Sequence, residues 1–236
     1  MYHHVNSDRC SNDLAIFEEH LKYIKNNFKT IFPGEEITSK SVCLTFDDAY
    51  ADFYFLIFPL LKKYNLKALL AIPSKYILDD TEEEAENRMN FEHNDLFENY
   101  QKATFCTYKE LKQMQESGLV VFGSHSHSHV NLLEANVDLD LELRVSKEIL
   151  EDKLNTKIDS FVFPFGKYNQ DILKEAKKYY KYNFRIGNAI HKDFSGINGA
   201  IYRVDGDNLK TADEIFKTTK LLKYKFKGIV KRLGKK

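Results

Sequence analysis

The chain has 236 residues, of which 43% are hydrophobic and 30% charged, a composition typical of a globular domain that buries a full core. Its 35 basic and 35 acidic residues balance, so the overall charge does not indicate a nucleic-acid-binding protein. Three cysteines without a C-x-x-C pair argue against a disulfide framework, and Met1 opens neither a signal-peptide pattern nor an apolar membrane span, so we expect a cytoplasmic protein.

Apolar runs alternate with segments of helical periodicity in the first third of the chain. The pattern predicts strands at 1–5, 41–45 and 67–72, and helices at 13–28 and 52–64. Pro59 is expected to kink the second helix. Residues 79–98 then carry nine acidic residues against one basic residue, Arg88. We interpret residues 79–106 as an inserted acidic loop on the surface, and the alternative is a lid that selects the substrate.

A capping-box pattern, Thr107 with Glu110, predicts a helix that ends at Gly118. Farther on, the pattern predicts strands at 119–124, 160–164, 182–187 and 200–205, and helices at 138–154, at 169–180 and from Thr211 onward. About seven strands that alternate with helices predict a single α/β domain with a mostly parallel sheet. In such sheets and barrels the catalytic residues lie past the C-terminal ends of the strands.

Two short motifs follow predicted strands and carry residues suited to metal chemistry. Asp47 and Asp48 follow the strand at 41–45, whereas His125 and His129 follow the strand at 119–124. Carboxylate and imidazole groups together suit zinc or a similar divalent ion, and a spare carboxylate remains for acid–base chemistry. Each motif alone is typical of a turn or an exposed polar loop. Both at strand ends of one domain indicate a metal-dependent hydrolase of an amide or ester.

Three segments of the chain resemble motifs of one enzyme family. They are Thr45-Phe46-Asp47-Asp48-Ala49, His125-Ser126-His127-Ser128-His129 and Phe161-Val162-Phe163-Pro164-Phe165-Gly166. From Tyr2 to about Asp205 the chain is similar to the polysaccharide deacetylases of the NodB-homology type, carbohydrate esterase family 4. This resemblance implies a distorted (β/α) barrel with about seven strands, which agrees with the number of strands predicted from the periodicity.

The resemblance also implies a role for the residues of the first two motifs. Asp47 corresponds to the catalytic base of the family. Asp48, His125 and His129 correspond to the ligands of a divalent metal, with zinc as the first candidate and cobalt or nickel as alternatives. His127 falls at a variable position of the motif, so we do not expect it to bind the metal.

One subgroup matches the chain better than the family as a whole. Tyr2-His3-His4-Val5 and Phe163-Pro164-Phe165-Gly166 resemble the Y-H-x-V strand and the Y-P-Y-G motif of poly-N-acetylglucosamine deacetylases. This resemblance implies that Pro164 and Phe165 contact the carbohydrate and that the N–H of Phe165 stabilises the oxyanion. His3 would then lie near the mouth of the barrel, where it binds substrate, supports a metal ligand or is simply an exposed histidine.

The chain departs from the family pattern at three places. Ala49 replaces a glycine, so we expect an ordinary φ angle or mild strain there. The arginine expected near Val162 is absent, and Arg203 either orients Asp47 in its place or is a plain structural arginine. No histidine of the C-terminal L-x-H motif follows His191, which is itself either the missing general acid or a loop residue.

These residues predict a metal-dependent N-deacetylase that removes the acetyl group from an N-acetylated sugar or glycan. The alternative is a degenerate, non-catalytic carbohydrate-binding protein on the same fold, which the missing histidine and arginine favour and the intact ligand set opposes. A third hypothesis is another metal-dependent cleavage of an amide or ester. The predicted partner is a carbohydrate and not a nucleic acid, and the sequence predicts no oligomeric state.

Residues 210–236 form a basic segment after the predicted catalytic barrel of residues 1–209. They contain ten basic and two acidic residues, with apolar residues between them. Basic amphipathic helices bind anionic lipid surfaces. The segment is therefore either a terminal helix that packs on the barrel with a solvated basic face, or a peripheral contact with an anionic membrane, in that case the inner membrane.

Overall fold

The strands of the chain are all short, and most of them lie in one sheet. The computed structural model describes residues 1–5, 7–38 and 40–233. The strands are β1 (His4–Val5), β2 (Ser11–Asn12), β3 (Lys29–Thr30), β4 (Ser41–Val42), β5 (Leu44–Phe46), β6 (Ala68–Ile72), β7 (Val120–Ser124), β8 (Ser160–Val162), β9 (Tyr182–Ile186) and β10 (Ile201–Arg203). The main sheet has six parallel strands in the order β10-β9-β8-β7-β6-β5, while β1 pairs with β2 and β3 with β4.

Helices connect the successive strands of the main sheet from β5 to β9, as is usual for parallel strands, and the first helix of the chain connects β2 to β3. The helices are α1 (Leu14–Asn27), α2 (Phe58–Tyr64), α3 (Ala85–Met89), α4 (Tyr108–Glu116), α5 (Ser146–Leu154), α6 (Gln170–Tyr179) and α7 (Thr218–Leu233). Short π-helices, Phe53–Ile57 and Leu141–Val145, lead into α2 and α5. Pro59 lies in the first turn of α2, where its missing N–H costs little. Within the predicted helix at 52–64, the backbone changes from a π-helix to an α-helix just before this residue.

The predicted helix starts have different outcomes. The capping box of α4 is confirmed, because the Thr107 side chain accepts the N–H of Glu110 and the Glu110 side chain accepts the N–H of Thr107. The predicted start at Thr211 is wrong. The Thr211 hydroxyl donates to Asp213 and accepts from the Lys217 ammonium group instead of accepting the backbone N–H of Glu214, and α7 begins only at Thr218. The last three residues of the predicted tail, 234–236, lie outside the described residues.

The first two residues link the two edges of the main sheet. Tyr2 forms a parallel bridge with Phe46, the last residue of β5, and its N–H donates to the carbonyl of Thr45 at 3.0 Å. On the other side, the N–H of Gly206, just after β10, donates to the carbonyl of Met1 at 2.9 Å. The half-barrel sheet is thereby closed at the end where β5 and β10 finish.

Both faces of the sheet are buried, as is typical of parallel strands covered by helices. Leu70 and Ile72 of β6 belong to the large cluster that packs against the helices, whereas Leu69 and Ala71 belong to a small cluster on the opposite face. This alternation places the small cluster inside the barrel. The strand ends carry the polar residues, so a polar mouth lies at the C-terminal edge of an apolar sheet.

Candidate active site and metal centre

Three side chains meet at the mouth of the barrel. Asp48 follows β5, while His125 and His129 follow β7, and both strands pair with β6. Asp48 Oδ1 lies 3.4 Å from His125 Nε2 and 3.2 Å from His129 Nε2. Ligands of a tetrahedral zinc ion at 2.0–2.1 Å lie about 3.3 Å apart, so these spacings fit such an ion.

The protonation and pairing of these groups also fit a metal. Among the residues that the structure describes, Asp48 Oδ1 is buried and has no hydrogen-bond partner. His125 Nδ1 lies 2.7 Å from the carbonyl of Val162, and because a carbonyl only accepts, Nδ1 carries a proton and Nε2 is the nitrogen that faces Asp48. Burial lowers the pKa of His129 to about 4, against the opposing charge of Asp48, so its ring is neutral at pH 7. One carboxylate oxygen and two imidazole nitrogens would leave the fourth position of a tetrahedral ion open.

Left-handed backbone turns aim these ligands into the mouth. Asp48 has φ +72°, Ala49 +57° and His129 +52°. On an extended chain the side chains of Asp47 and Asp48 would point to opposite faces, and the turn after β5 brings both to one side. The expectation of an ordinary φ at Ala49 is therefore wrong, and the expected strain is present. This conformation costs an L-residue roughly 1–2 kcal/mol.

Arg203 holds Asp47 from the far edge of the sheet. Its two terminal nitrogens donate to Asp47 Oδ1 at 2.5 Å and to Oδ2 at 2.7 Å, and all of these atoms are buried. One of the nitrogens also donates to the hydroxyl of Thr45 at 3.2 Å. Burial alone would raise the pKa of Asp47, but the Arg203 charge and hydrogen bonds hold it well below its usual range. Asp47 is thus an ionised carboxylate outside the group of three.

His3 lies beside Asp47 on the other side of the mouth. Its Nε2 is 3.8 Å from Asp47 Oδ2, and its Nδ1 is 2.6 Å from Asp207 Oδ2. Burial would lower the pKa of His3, but the hydrogen bond to Asp207 and the charge of Asp47 outweigh burial and raise the pKa to about 9. At neutral pH this ring is an imidazolium with a proton on the nitrogen that faces the site.

A second group of possible ligands consists of His3, Cys10 and Asp207, whose ligand atoms lie within 4.8 Å of one another. It suits a metal less well, because the 2.6 Å contact between His3 and Asp207 is a hydrogen bond and is too short for two ligands of one ion. The group around Asp48 has an unpaired oxygen instead. The candidate metal centre is therefore Asp48, His125 and His129.

Two aromatic rings border this centre. Phe97 stacks on the His129 ring with 4.7 Å between centroids, and the Phe165 ring lies 4.8 Å from the same imidazole. Phe165 is 57% exposed and has φ +55°, whereas Pro164 is buried beside it. The Phe165 ring can therefore contact a bound molecule, and Pro164 supports the turn that presents it.

The remaining candidate histidines lie apart from these groups. His127 Nδ1 pairs with the hydroxyl of Ser74 at 2.9 Å, and the N–H of His127 donates to Glu142 at 2.9 Å. His191 Nε2 accepts the N–H of Tyr202 at 2.9 Å, which ties this loop residue to β10. Neither ring belongs to the two ligand groups found among the described residues.

Sequence reasoning missed Asp207 and Phe97. Asp207 comes to His3 only through the bridged ends of the sheet, across 204 residues, and no local pattern marks it. Phe97 belongs to the acidic segment at 79–106, where aromatic residues among the carboxylates were a usable signal. The aromatic side chains of this segment pack against the core instead of standing in solvent.

The sequence model of the polysaccharide deacetylase family matches residues 34–183. The Bacillus subtilis protein YxkH, whose name places it among the polysaccharide deacetylases, is 27% identical over 196 residues, covering 75% of this chain and 60% of that protein. The poly-beta-1,6-N-acetyl-D-glucosamine N-deacetylase of Staphylococcus aureus is 24% identical over 189 residues, covering 72% of this chain and 59% of that enzyme. The chain thus spans about 60% of the length of these curated relatives.

Solved structures share the fold. The Streptococcus pyogenes deacetylase PplD in complex with acetate superposes with a TM-score of 0.71 at 23% identity, over 92% of this chain and 94% of that chain. IcaB from Ammonifex degensii superposes with a TM-score of 0.66 at 19% identity, over 88% and 90% of the two chains. The predicted distorted (β/α) barrel is confirmed.

Proposed function

The chain belongs to the polysaccharide deacetylase family, and from this premise we propose that it is a metal-dependent hydrolase of N-acetylated sugars. The observation that carries the proposal is the unpaired Asp48 oxygen within 3.4 Å of two imidazole nitrogens, next to the ionised Asp47. Amide hydrolysis needs a group that polarises the carbonyl, a base and an acid. The mouth of the barrel offers ligands for a metal ion that would polarise the carbonyl, and residues for the base and the acid.

Asp48, His125 and His129 would hold the metal, and zinc is the first candidate because it favours a set of oxygen and nitrogen ligands with an open position. When bound, such an ion supplies a Lewis acid that polarises the acetyl carbonyl and lowers the pKa of water. The hydrogen bond from His125 to Val162 would keep that ring in one orientation and one tautomer.

Asp47 would accept the proton of the attacking water. Its two hydrogen bonds from Arg203 fix the direction of the carboxylate, so the free lone pairs of Oδ1 and Oδ2 point in a defined direction. Arg203 thus positions the base and keeps it ionised. The backbone N–H of Phe165 would hydrogen-bond to the oxyanion that develops on the acetyl carbonyl.

His3 would give the proton that the leaving amine needs. It is charged at neutral pH, and its Nε2 faces Asp47 while Asp207 holds its Nδ1. This assignment fills the place of the C-terminal histidine that the sequence lacks. The exposed Phe165 ring would contact the sugar beside the acetyl group. The name of the Staphylococcus aureus relative suggests β-1,6-linked N-acetylglucosamine as the first substrate to test.

The test is acetate release from β-1,6-linked N-acetylglucosamine oligomers by protein reloaded with zinc, with and without chelator. We expect Asp48→Ala to lose both zinc and activity, and Asp47→Asn to keep one zinc per chain with at least 100-fold lower kcat. His127→Gln is the matched control, because this histidine lies two residues from His125 but pairs with Ser74. It should keep zinc and activity.

Two results would contradict the proposal. One is Asp47→Asn with full activity, which would remove the base. The other is zinc-loaded protein that binds the oligomers but releases no acetate from them or from other N-acetylated sugars. That outcome would favour the non-catalytic carbohydrate-binding alternative on the same fold.

A further inference from the structure

Helix α7 exposes a continuous apolar face. Eight large hydrophobic side chains are exposed within the described ranges, and five of them lie on this helix. Their exposed fractions run from 49% to 75%, and the residues are Leu222, Phe226, Ile229, Val230 and Leu233. Single exposed apolar residues are normal on a protein surface, but a contiguous set marks a surface that contacts something.

The spacing of these residues puts them on one side of the helix. At 3.6 residues per turn they fall within an arc of about 100°. The opposite side contacts the barrel, where Tyr224 and Gly228 are buried. A Cβ atom at Gly228 would lie 3.8 Å from Ala189 and 3.9 Å from Ile197, so the helix backbone is close to the loop before β10. The apolar face is therefore not the side that holds α7 in place.

Basic residues line both edges of this face. The stretch 217–233 contains seven basic residues and no acidic residue. On the helix surface, Lys223 and Lys227 fall along one edge of the apolar arc, and Lys225 and Arg232 fall along the other. Long basic side chains on either side of an apolar stripe are typical of helices that lie in the plane of a membrane interface.

We propose that α7 docks the protein on an anionic lipid bilayer, with Leu222, Phe226, Ile229, Val230 and Leu233 inserted between the headgroups. The basic residues at the edges would contact the lipid phosphates, and each contributes about fivefold to the affinity for an anionic surface. A second copy of the chain suits this face poorly, because pairing two such helices would bring seven basic residues of each together. Docking through α7 does not depend on the catalytic assignment.

Within the described chain, no helix has the length and apolarity needed to cross a bilayer. The proposed docking is peripheral, since α7 has 16 residues and one side of it stays on the barrel. Peripheral contact of this kind weakens with salt, because part of the attraction is electrostatic and is screened.

The experiment is co-sedimentation of the full chain with vesicles of phosphatidylcholine alone and with one third phosphatidylglycerol, at low and high salt. We expect binding to the anionic vesicles at low salt, and at least tenfold weaker binding for the double variant L222Q/F226Q. L133Q is the matched control, because Leu133 is 46% exposed but lies far from α7 in sequence. It should bind as the unaltered chain does.

Three results would overturn the proposal. They are no binding to anionic vesicles at low salt, equal binding by L222Q/F226Q, and a dimer of the unaltered chain that L222Q/F226Q converts to a monomer without any vesicle binding. The last result would assign the face to a second copy. Circular dichroism of both variants shows that a loss of binding is not a loss of fold.

Discussion

Asp47 has two cationic neighbours, and they act on it differently. Arg203 contacts both carboxylate oxygens, whereas His3 approaches one of them at 3.8 Å. Both stabilise the ionised form, which lowers the basicity of Asp47, but the arginine also fixes its orientation. As the proposed base, Asp47 would gain a fixed position and lose proton affinity. His3 could take the proton from Asp47 only after its own proton has gone to the leaving amine.

The protonated state of His3 predicts the alkaline limit of activity. Its pKa is raised to about 9, so the imidazolium is present below that pH and is lost as pH rises through it. Asp207→Asn removes the charge that supports the imidazolium, and the alkaline limb of kcat against pH should move to lower pH by about one unit or more. The measurement is the pH–rate profile of zinc-loaded protein.

Zinc content should be unchanged in Asp207→Asn, since Asp207 lies outside the group of Asp48, His125 and His129. Asp193→Asn is the control, because its carboxylate hydrogen-bonds with Ser195 in an exposed loop. An alkaline limb at the same pH in Asp207→Asn would mean that His3 is not the acid.

A buried arginine on α3, Arg88, ties the segment at 79–106 to α4. Arg88 donates to Glu110 at 2.6 and 2.9 Å, and also to the carbonyls of Ala103 and Phe105. The acidic residues of the segment face solvent while Arg88 is 2% exposed. This element therefore presents Phe97 to His129 from a tied position, although its composition is that of a solvated loop.

Loss of this arginine should destabilise the segment and the fold together. Arg88→Ala leaves the Glu110 carboxylate and two carbonyls without their partner, and we expect the free energy of unfolding to fall by about 3–5 kcal/mol. Urea unfolding measures the loss, and limited proteolysis should show earlier cleavage within 79–106. Lys102→Ala removes an exposed ion pair with Glu83 in the same segment and should cost under about 1 kcal/mol. Equal effects of the two variants would contradict the central role of Arg88.

At the scale of the whole molecule, the mouth is assembled from both ends of the chain. Tyr2 bridges β5, and the chain just after β10 hydrogen-bonds back to Met1. This closure places His3 between Asp47 and Asp207. The Tyr2 ring is buried and packs on Phe17 and Phe46, so the closure rests on apolar contacts as well as on backbone hydrogen bonds.

Tyr2 variants test the closure. Tyr2→Ala should lower the free energy of unfolding by about 3–5 kcal/mol, because it leaves a cavity between the edges of the sheet. Tyr2→Phe keeps the ring and loses only the hydroxyl contact to His20 Nε2 at 2.7 Å, so about 1–3 kcal/mol is expected. Kcat should fall in Tyr2→Ala, since His3 loses its support, and should stay within a few-fold in Tyr2→Phe. A similar loss of stability in both variants would show that the ring does not carry the closure.

The order of strands and helices and the two motifs at strand ends were predictable because they depend on local patterns. Apolar periodicity reports burial over a few residues, and polar residues placed after an apolar run mark the strand ends. The helix start at Thr211 was mispredicted because its hydroxyl has a nearer partner in Asp213. For Ala49 the sequence left an ordinary φ and mild strain both open, and the turn that aims Asp48 imposes the left-handed conformation against the preference of the residue.

The sequence by itself determined an α/β domain with a mostly parallel sheet and placed Asp48, His125 and His129 just after two of its strands. Only the tertiary structure decided that Arg203 hydrogen-bonds to Asp47, 156 residues away in sequence. It also decided that Asp207, 204 residues from His3, stabilises the protonated form of His3, and that α7 exposes an apolar face. The physical reason is the range of the interactions. Backbone periodicity is set by neighbours, whereas an ion pair or an exposed face depends on which edges of the sheet close on each other.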